Sequence, residues 1–290
     1  MVDEPLLESA PIAWRLAREL CRTNPATGAS CEWLHAFWQC LRIIGLAATP
    51  DRHAGFYQAA FDGVGAGDGS PRILVSGTAD YSMLAHVLAA FRARGVEPSV
   101  TVIDVCETPL ELNRWYAQRA GGRVETAQSS VLQYPAPAPF DCVCTHSFLG
   151  MFSGEERPAL IAAWRRLLKP GGRVVITHPL QPLQSNEPNR FSPEQATAFR
   201  GLVGSRAAQL AAIIGTEPDA IMARAERYLE ARYGHPLRSG DEIAALFEDG
   251  GFDPVHIACG PVTVEEPPAI GGPGLRKPNA HYASVVAIRA

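Results

Sequence analysis

The chain has 290 residues, 47% of them hydrophobic and 19% charged, with a net charge of −4 and a pI of about 6.1. That composition supports a packed core of one or two domains, excludes a disordered chain and disfavours a protein built to grip a phosphate backbone. No apolar run approaches a membrane span, and the acidic start, Met1 to Glu8, lacks the basic region of a signal peptide, so a cytoplasmic location is expected. The seven cysteines contain no CxxC pair and read as reduced thiols, with neither a disulfide framework nor a metal site.

Residues 1–62 read as helices. Leu34, Phe37, Trp38 and Leu41 recur at helical spacing behind Ser30 as N-cap, and Phe56, Tyr57, Ala60 and Phe61 repeat the pattern after Pro50. Seven of the 23 aromatic residues fall in the first 61 positions, which suits either a small helical core or an aromatic cap over a ligand. Trp33, Phe37 and Trp38 are accordingly candidates to line a substrate pocket or to pack. Four glycines in Gly63–Ser70 mark a linker. The expected division is a helical cap and linker over 1–69 and a second domain over 70–290.

After the linker the period changes. Short apolar runs at Arg72–Ser76, Val100–Asp104, Arg123–Ala127, Phe140–Thr145 and Arg173–Thr177 alternate with helical patterns. Thr108-Pro109-Leu110-Glu111, Ser153-Gly154-Glu155-Glu156, Ser192-Pro193-Glu194-Gln195 and Ser239-Gly240-Asp241-Glu242 each read as a capping box. Alternating strands and helices predict βαβ units and a parallel sheet covered on both faces. Residues 181–238 interrupt the alternation and predict a helical hairpin laid over one end of the sheet. Phe252–Cys259 and His281–Arg289 complete the strands, on either side of a Pro/Gly-rich loop at 260–279.

Ligands of such sheets bind beyond the carboxyl ends of the strands. An acid ending the second strand, Asp104, after a tight turn at Gly77, suits a ribose. Asp80 in that turn would repel a pyrophosphate, but it suits an ammonium group or the N-cap of the next helix. A nucleoside with a charged amino-acid tail therefore fits better than a dinucleotide.

On these residues the chain resembles the class I S-adenosylmethionine-dependent methyltransferases over about residues 72–289. Ile73-Leu74-Val75-Ser76-Gly77-Thr78-Ala79-Asp80-Tyr81 stands where that family has an apolar strand and a glycine-rich turn, with Ala79 and Tyr81 in place of two glycines. Asp104 stands at the ribose-binding acid, Ser129-Ser130-Val131 at the adenine-binding turn with Ser130 in place of an acid, and Phe140-Asp141-Cys142-Val143 at a third motif. Leu167-Leu168-Lys169-Pro170-Gly171-Gly172 is the most specific match. The resemblance implies an α/β fold: a seven-stranded, mostly parallel, doubly wound Rossmann-like sheet in the order 3-2-1-4-5-7-6, with the N-terminal cap and the insertion after strand five as a lid. It implies S-adenosyl-L-methionine as cofactor, with S-adenosyl-L-homocysteine as product. The residues it implies at the cofactor are Gly77, Thr78, Ala79, Asp80, Tyr81, Asp104, Val105, Cys106, Ser129, Ser130, Val131 and His146.

Methyl transfer is an in-line displacement and requires an aligned nucleophile and, for O–H or N–H acceptors, a proton acceptor. His146 after the fourth strand is the first candidate base, with a structural role as its alternative, and His178 after the fifth is the second. His35 and His53 reach the site only if the cap folds over it. Phe148 joins Trp33, Phe37 and Trp38 as a candidate substrate contact. The expected activity is methylation of an O or N nucleophile on a small, biosynthetic molecule. Neither nucleic acid nor membrane is an expected partner; a homodimer is compatible. The alternatives are a non-methylating enzyme on the same cofactor, such as a cyclase or decarboxylase, and an inactive binding protein.

Overall fold

A computed structural model of the chain describes residues 2–22, 30–47, 49–65, 69–181, 190–261 and 281–290, the side chains of 254 and 255 excepted. The expected loop at 260–279 falls almost wholly outside these residues, as does part of the glycine linker.

Seven strands form one sheet: β1 (Arg72–Ser76), β2 (Ser99–Asp104), β3 (Arg123–Gln128), β4 (Phe140–His146), β5 (Leu168–Pro179), β6 (Phe252–Pro261) and β7 (His281–Arg289). Their order is β3-β2-β1-β4-β5-β7-β6, as the resemblance implies. The first five are parallel, and β7 runs antiparallel to both β5 and β6. Leu74, Val75, Val102, Val143, Cys144 and Val175 are fully buried, which is why the central strands read as unbroken apolar runs.

Helices α1 (Leu6–Leu20), α2 (Glu32–Ile43) and α3 (Ala54–Phe61) precede the sheet. Between strands lie α4 (Ser82–Arg92), α5 (Glu107–Ala120) and α6 (Arg157–Leu167). After β5 come α7 (Pro193–Gly204), α8 (Ala207–Ile214), α9 (Pro218–Ala231) and α10 (Gly240–Asp249). Ser192 forms the predicted capping box with Gln195, and the Ser239 hydroxyl accepts from the Glu242 amide. The box expected at Thr108 does not form. α5 starts at Glu107 with Cys106 as N-cap, and the Thr108 side chain is buried inside the first turn. Cys31 rather than Ser30 is the N-cap residue of α2, although the Ser30 hydroxyl still accepts from the Glu32 amide at 3.2 Å. Among the described residues the insertion holds three helices instead of a hairpin, because the helix expected across 192–213 breaks at Ser205-Arg206.

The helices outside the sheet layers divide unexpectedly. α1 and α2 share one apolar core with α7, α8 and α9, where Trp14, Phe37, Ile43, Phe199, Leu210, Ile221 and Tyr228 are buried together. Phe37 packs against Phe199 and Tyr228, with ring centroids 6.3 and 6.0 Å apart. The N-terminal segment and the insertion thus build a single helical layer. α3 belongs elsewhere: Tyr57 and Phe61 are fully buried in the core of β1 and α4, and Val64 joins them. The boundary drawn in the glycine run therefore crosses a continuous core. Among the described residues no helix is long and apolar enough to cross a membrane.

Candidate active site

The turn after β1 and the end of β2 are tied together. The Gly77 amide donates to the Ile103 carbonyl at 2.9 Å, and the Thr78 amide donates to Asp104 Oδ2 at 3.0 Å. Asp104 Oδ1 accepts from the Cys106 amide at 2.8 Å. A carboxylate has about four lone-pair sites, so these two bonds orient Asp104 and leave it capacity for further donors. Burial pushes its pKa up. Gly77 has φ +72°, in the left-handed region that glycine adopts without strain. Gly77, Thr78, Ala79, Asp104, Ser129 and Ser130 are all half-buried, and Val105 beside them is 68% exposed. Together they form a half-buried shelf with an acid and one exposed apolar side chain. Ser129 and Ser130 sit one strand further out. The Ser129 amide donates to the Asp104 carbonyl at 2.9 Å, and the Ser130 hydroxyl accepts from the Leu132 amide at 3.3 Å; Val131 turns inward and is buried.

Three residues placed at the cofactor by resemblance go elsewhere. Asp80 is 3% exposed and does not face a ligand. Its carboxylate accepts from Trp38 Nε1 (3.0 Å), Gln39 Nε2 (3.1 Å), the Arg42 guanidinium (2.7 Å) and the Ser82 amide (2.9 Å). Arg42 also pairs with Glu4. Asp80 therefore fastens α2 to the β1 turn and also accepts from the first amide of α4, whose N-cap residue is Tyr81 rather than Asp80. Tyr81 is fully buried: its ring stacks on Tyr116 at 4.8 Å and its hydroxyl bonds the Ser9 hydroxyl at 3.0 Å. A buried phenol can sit here because both its face and its polar tip are satisfied. Cys106 is buried at the N-terminus of α5, where its sulfur lies 3.6 Å from that of Cys21.

The cysteines also depart from expectation. Cys21, Cys31, His35 and Cys106 offer ligand atoms that all lie within 4.8 Å of one another. Reading these thiols as having no metal-type arrangement fails because the fold brings together positions up to 85 residues apart. The Cys31-x-x-x-His35 spacing, one helical turn, is the only local signal.

At the other side of the turn, β4 and β5 end in a polar and aromatic cluster. The Thr145 hydroxyl donates to the Gly77 carbonyl at 3.4 Å, which joins the end of β4 to the β1 turn. His146 Nδ1 and Tyr57 Oη lie 2.7 and 2.9 Å from the Thr177 hydroxyl oxygen. Tyr57 Oη is also 2.9 Å from the Thr145 carbonyl. With Tyr57 donating to the Thr145 carbonyl, the Thr177 hydroxyl donates to Tyr57 and its oxygen accepts from His146 Nδ1–H. In that arrangement the His146 lone pair is on Nε2; with Tyr57 donating to Thr177 instead, the chain of bonds runs the other way. The His53 ring lies 5.5 Å from His146 and 4.7 Å from Tyr282, so the N-terminal segment does fold over this end of the sheet. Burial lowers the His53 pKa to about 4 and keeps it neutral.

His178 does not join the cluster. It follows Thr177 on β5, and successive strand residues face opposite ways. It is buried under Gly150, where an added Cβ would meet its ring at 3.2 Å, and burial with the nearby Arg157 lowers its pKa to about 3. Of the aromatic candidates, Phe37 is closed inside the helical layer. Trp33 packs on Tyr228 at 5.7 Å, and Trp38 is held by Asp80. Phe148 alone stands at the site. Its ring fills the space over Gly77, where a Cβ would come within 2.2 Å of it.

Residues 83–172 match the family described as methyltransferase domain. The ubiquinone/menaquinone biosynthesis C-methyltransferase of Escherichia fergusonii is 28% identical over 168 residues, covering 57% of this chain and 60% of that protein. The chain thus spans about three-fifths of the length of the curated relatives it matches. The solved structure of the S-adenosylmethionine-dependent methyltransferase SibL, in its apo form, superposes with a TM-score of 0.50 at 17% identity, covering 98% of this chain and 70% of that one. Magnesium protoporphyrin IX methyltransferase from Synechocystis PCC 6803 gives 0.49 at 13% identity, over 88% and 94% of the two chains. Residues 83–172 thus carry the likeness to a methyltransferase domain, and the strand order with the superposition on the SibL structure shows the Rossmann-like fold.

Proposed function

We propose that the protein binds S-adenosyl-L-methionine across the Gly77 turn and Asp104 and methylates an oxygen or nitrogen nucleophile of a small molecule. The observation that carries this is the shelf at the ends of β1 and β2. There a positive-φ glycine, an oriented half-buried carboxylate and an exposed Val105 lie side by side. Asp104 would hold the ribose hydroxyls, and the Val105 side chain would cover one face of the adenine. Asp104 and Val105 fit the nucleoside end, while the Phe148 ring occupies the space over Gly77 and would have to swing aside for the methionine end. At the methionine end Asp80 is already engaged, so the ammonium must be met by turn carbonyls rather than by that acid.

The bound sulfonium supplies an electrophilic methyl group. The chain's own contribution is to align the acceptor and take its proton. His146, with Nε2 as the basic nitrogen when Tyr57 donates to the Thr145 carbonyl, is the residue proposed to do so; His53 and Tyr282 flank it as neutral groups. The helical layer of α1, α2 and α7–α9 and the Phe148 ring restrict access, which suits a small acceptor better than the surface of a macromolecule.

Titration calorimetry with S-adenosylhomocysteine tests this reading directly. Binding to the native chain, weakened by about 2 kcal/mol or more in Asp104→Ala, supports it, because charge-assisted bonds to two hydroxyls are lost. A folded native chain that takes up neither S-adenosylmethionine nor S-adenosylhomocysteine would point instead to a protein that keeps the fold without the cofactor.

A further inference from the structure

The cluster of Cys21, Cys31, His35 and Cys106 adjoins Asp104, whose carboxylate accepts from the Cys106 amide, but none of its ligand atoms has a role in the proposed methyl transfer, and three elements converge on it. Cys21 is the C-cap residue of α1, Cys31 the N-cap residue of α2, and Cys106 the N-cap residue of α5; His35 lies one turn into α2. His35 and Cys106 are each 5% exposed. The Cys21 sulfur is 3.3 Å from His35 Nδ1 and 3.6 Å from the Cys106 sulfur, and all four ligand atoms lie within 4.8 Å of one another.

The geometry points to a structural zinc site of three thiolates and one imidazole. Sulfurs about 2.3 Å and a nitrogen about 2.0–2.1 Å from a tetrahedral ion are separated by about 3.5–3.8 Å. The observed separations approach those edges and are far too long for a disulfide, whose sulfurs lie about 2.05 Å apart. Three soft sulfurs and an imidazole select zinc over the hard, oxygen-seeking cations. Two of the thiols sit at helix N-termini, where the partial positive charge of α2 and of α5 favours the thiolate form that a metal needs. The Thr108 hydroxyl, 3.1 Å from the Cys21 sulfur, is placed to donate to that thiolate. This gives the buried Thr108, which forms no capping box, a role.

Four protein ligands leave no open position, so the ion would be structural rather than catalytic. Zinc would staple the α1–α2 corner to the turn that follows Asp104. Asp80 anchors the same α2 to the turn after β1. The helical layer would thus be pinned at two points, by an ion pair at one and a metal at the other. Binding zinc releases thiol and imidazole protons and involves no redox step.

The test uses the full chain, untagged and purified under reducing conditions. Elemental analysis is expected to give about one zinc per chain. Exchange with Co²⁺ should give the intense visible absorption and thiolate charge-transfer bands of a tetrahedral sulfur-rich site, a readout that needs no variant and no activity. Cys106→Ser and His35→Ala should weaken zinc at least about tenfold in competition with a chromophoric chelator, while Cys259→Ser, exposed and outside the cluster, should not. If those variants do not fold, the cobalt spectrum of the native chain decides. The proposal is overturned if the reduced native chain takes up no zinc, if cobalt gives only the pale spectrum of an octahedral site, or if peptide mapping of the freshly isolated chain finds Cys21 disulfide-bonded to Cys106. None of these readouts depends on methyl transfer, so the proposed function stands or falls separately.

Discussion

Replacing Asp80 separates two roles for that carboxylate, an ammonium holder or a structural anchor. In the structure it accepts from Trp38, Gln39, Arg42 and the Ser82 amide, and both Asp80 and Arg42 have side chains only 4% exposed. Asp80→Ala leaves three side-chain donors and one amide buried without their acceptor. Removing one partner of a buried pair destabilises by about 3–5 kcal/mol. Arg42 keeps Glu4 as a second partner, so the lower end, about 3 kcal/mol, is expected. Urea unfolding followed by tryptophan fluorescence and circular dichroism should show a lower midpoint with an unchanged slope. Asp80→Ala with Arg42→Ala should lose less than the sum of the single changes by more than about 1 kcal/mol, because the two residues share one network. A loss below about 1 kcal/mol for Asp80→Ala, together with a collapse of S-adenosylhomocysteine affinity in the folded protein, would refute the anchoring argument and return Asp80 to the ligand.

His146→Ala should lower kcat by about 10²–10⁴-fold with little change in cofactor affinity, and Thr177→Val should lower it less, by freeing the tautomer; a loss under about tenfold for His146→Ala removes it as base. His178→Ala, on the opposite face of β5, should act on stability rather than on kcat, and a kcat loss as large as that of His146→Ala would contradict its placement. His53 and His178 are held neutral, with pKa values lowered to about 4 and about 3, so between pH 6.5 and those values the unfolded chain binds protons that the folded chain refuses. Their contribution is therefore constant above about pH 6.5 and is lost as the pH falls, by about 2 kcal/mol per histidine between pH 7 and pH 5; His53→Gln should flatten that slope in urea midpoints. Gly77→Ala should destabilise the turn by at least about 1–2 kcal/mol, since φ is +72° and the new Cβ would meet the Phe148 ring, and an unperturbed midpoint would show that this turn relaxes freely.

Much of this protein is local and so could be read in its sequence. Each strand is an apolar run because its residues are buried on both faces, and helix starts such as Ser192 and Ser239 are set by side chains three residues from their partners. The acid ending β2 and the glycine before Thr78 are legible for the same reason: a tight turn and a strand-end carboxylate are properties of a few neighbouring residues. Asp80 and Tyr81 were legible only as positions in a turn. Whether such side chains face a ligand or a core depends on what packs over them, and here Trp38, Gln39, Arg42 and Ser9 arrive from the N-terminal helices. The same limit separates His146 from His178. Both follow apolar strands, but the two-residue alternation of β5 sends Thr177 toward His146 and His178 to the other face. The four ligand atoms of the cysteine–histidine cluster come from the end of α1, the first turn of α2 and the start of α5, and the helical layer joins residues 6–43 to residues 193–231. Local pattern thus determined the elements, while the strand order was implied by the resemblance of the motifs. Side-chain burial and long-range pairing, which follow from how surfaces far apart in the chain exclude water against one another, decided which of the marked residues meet at a site.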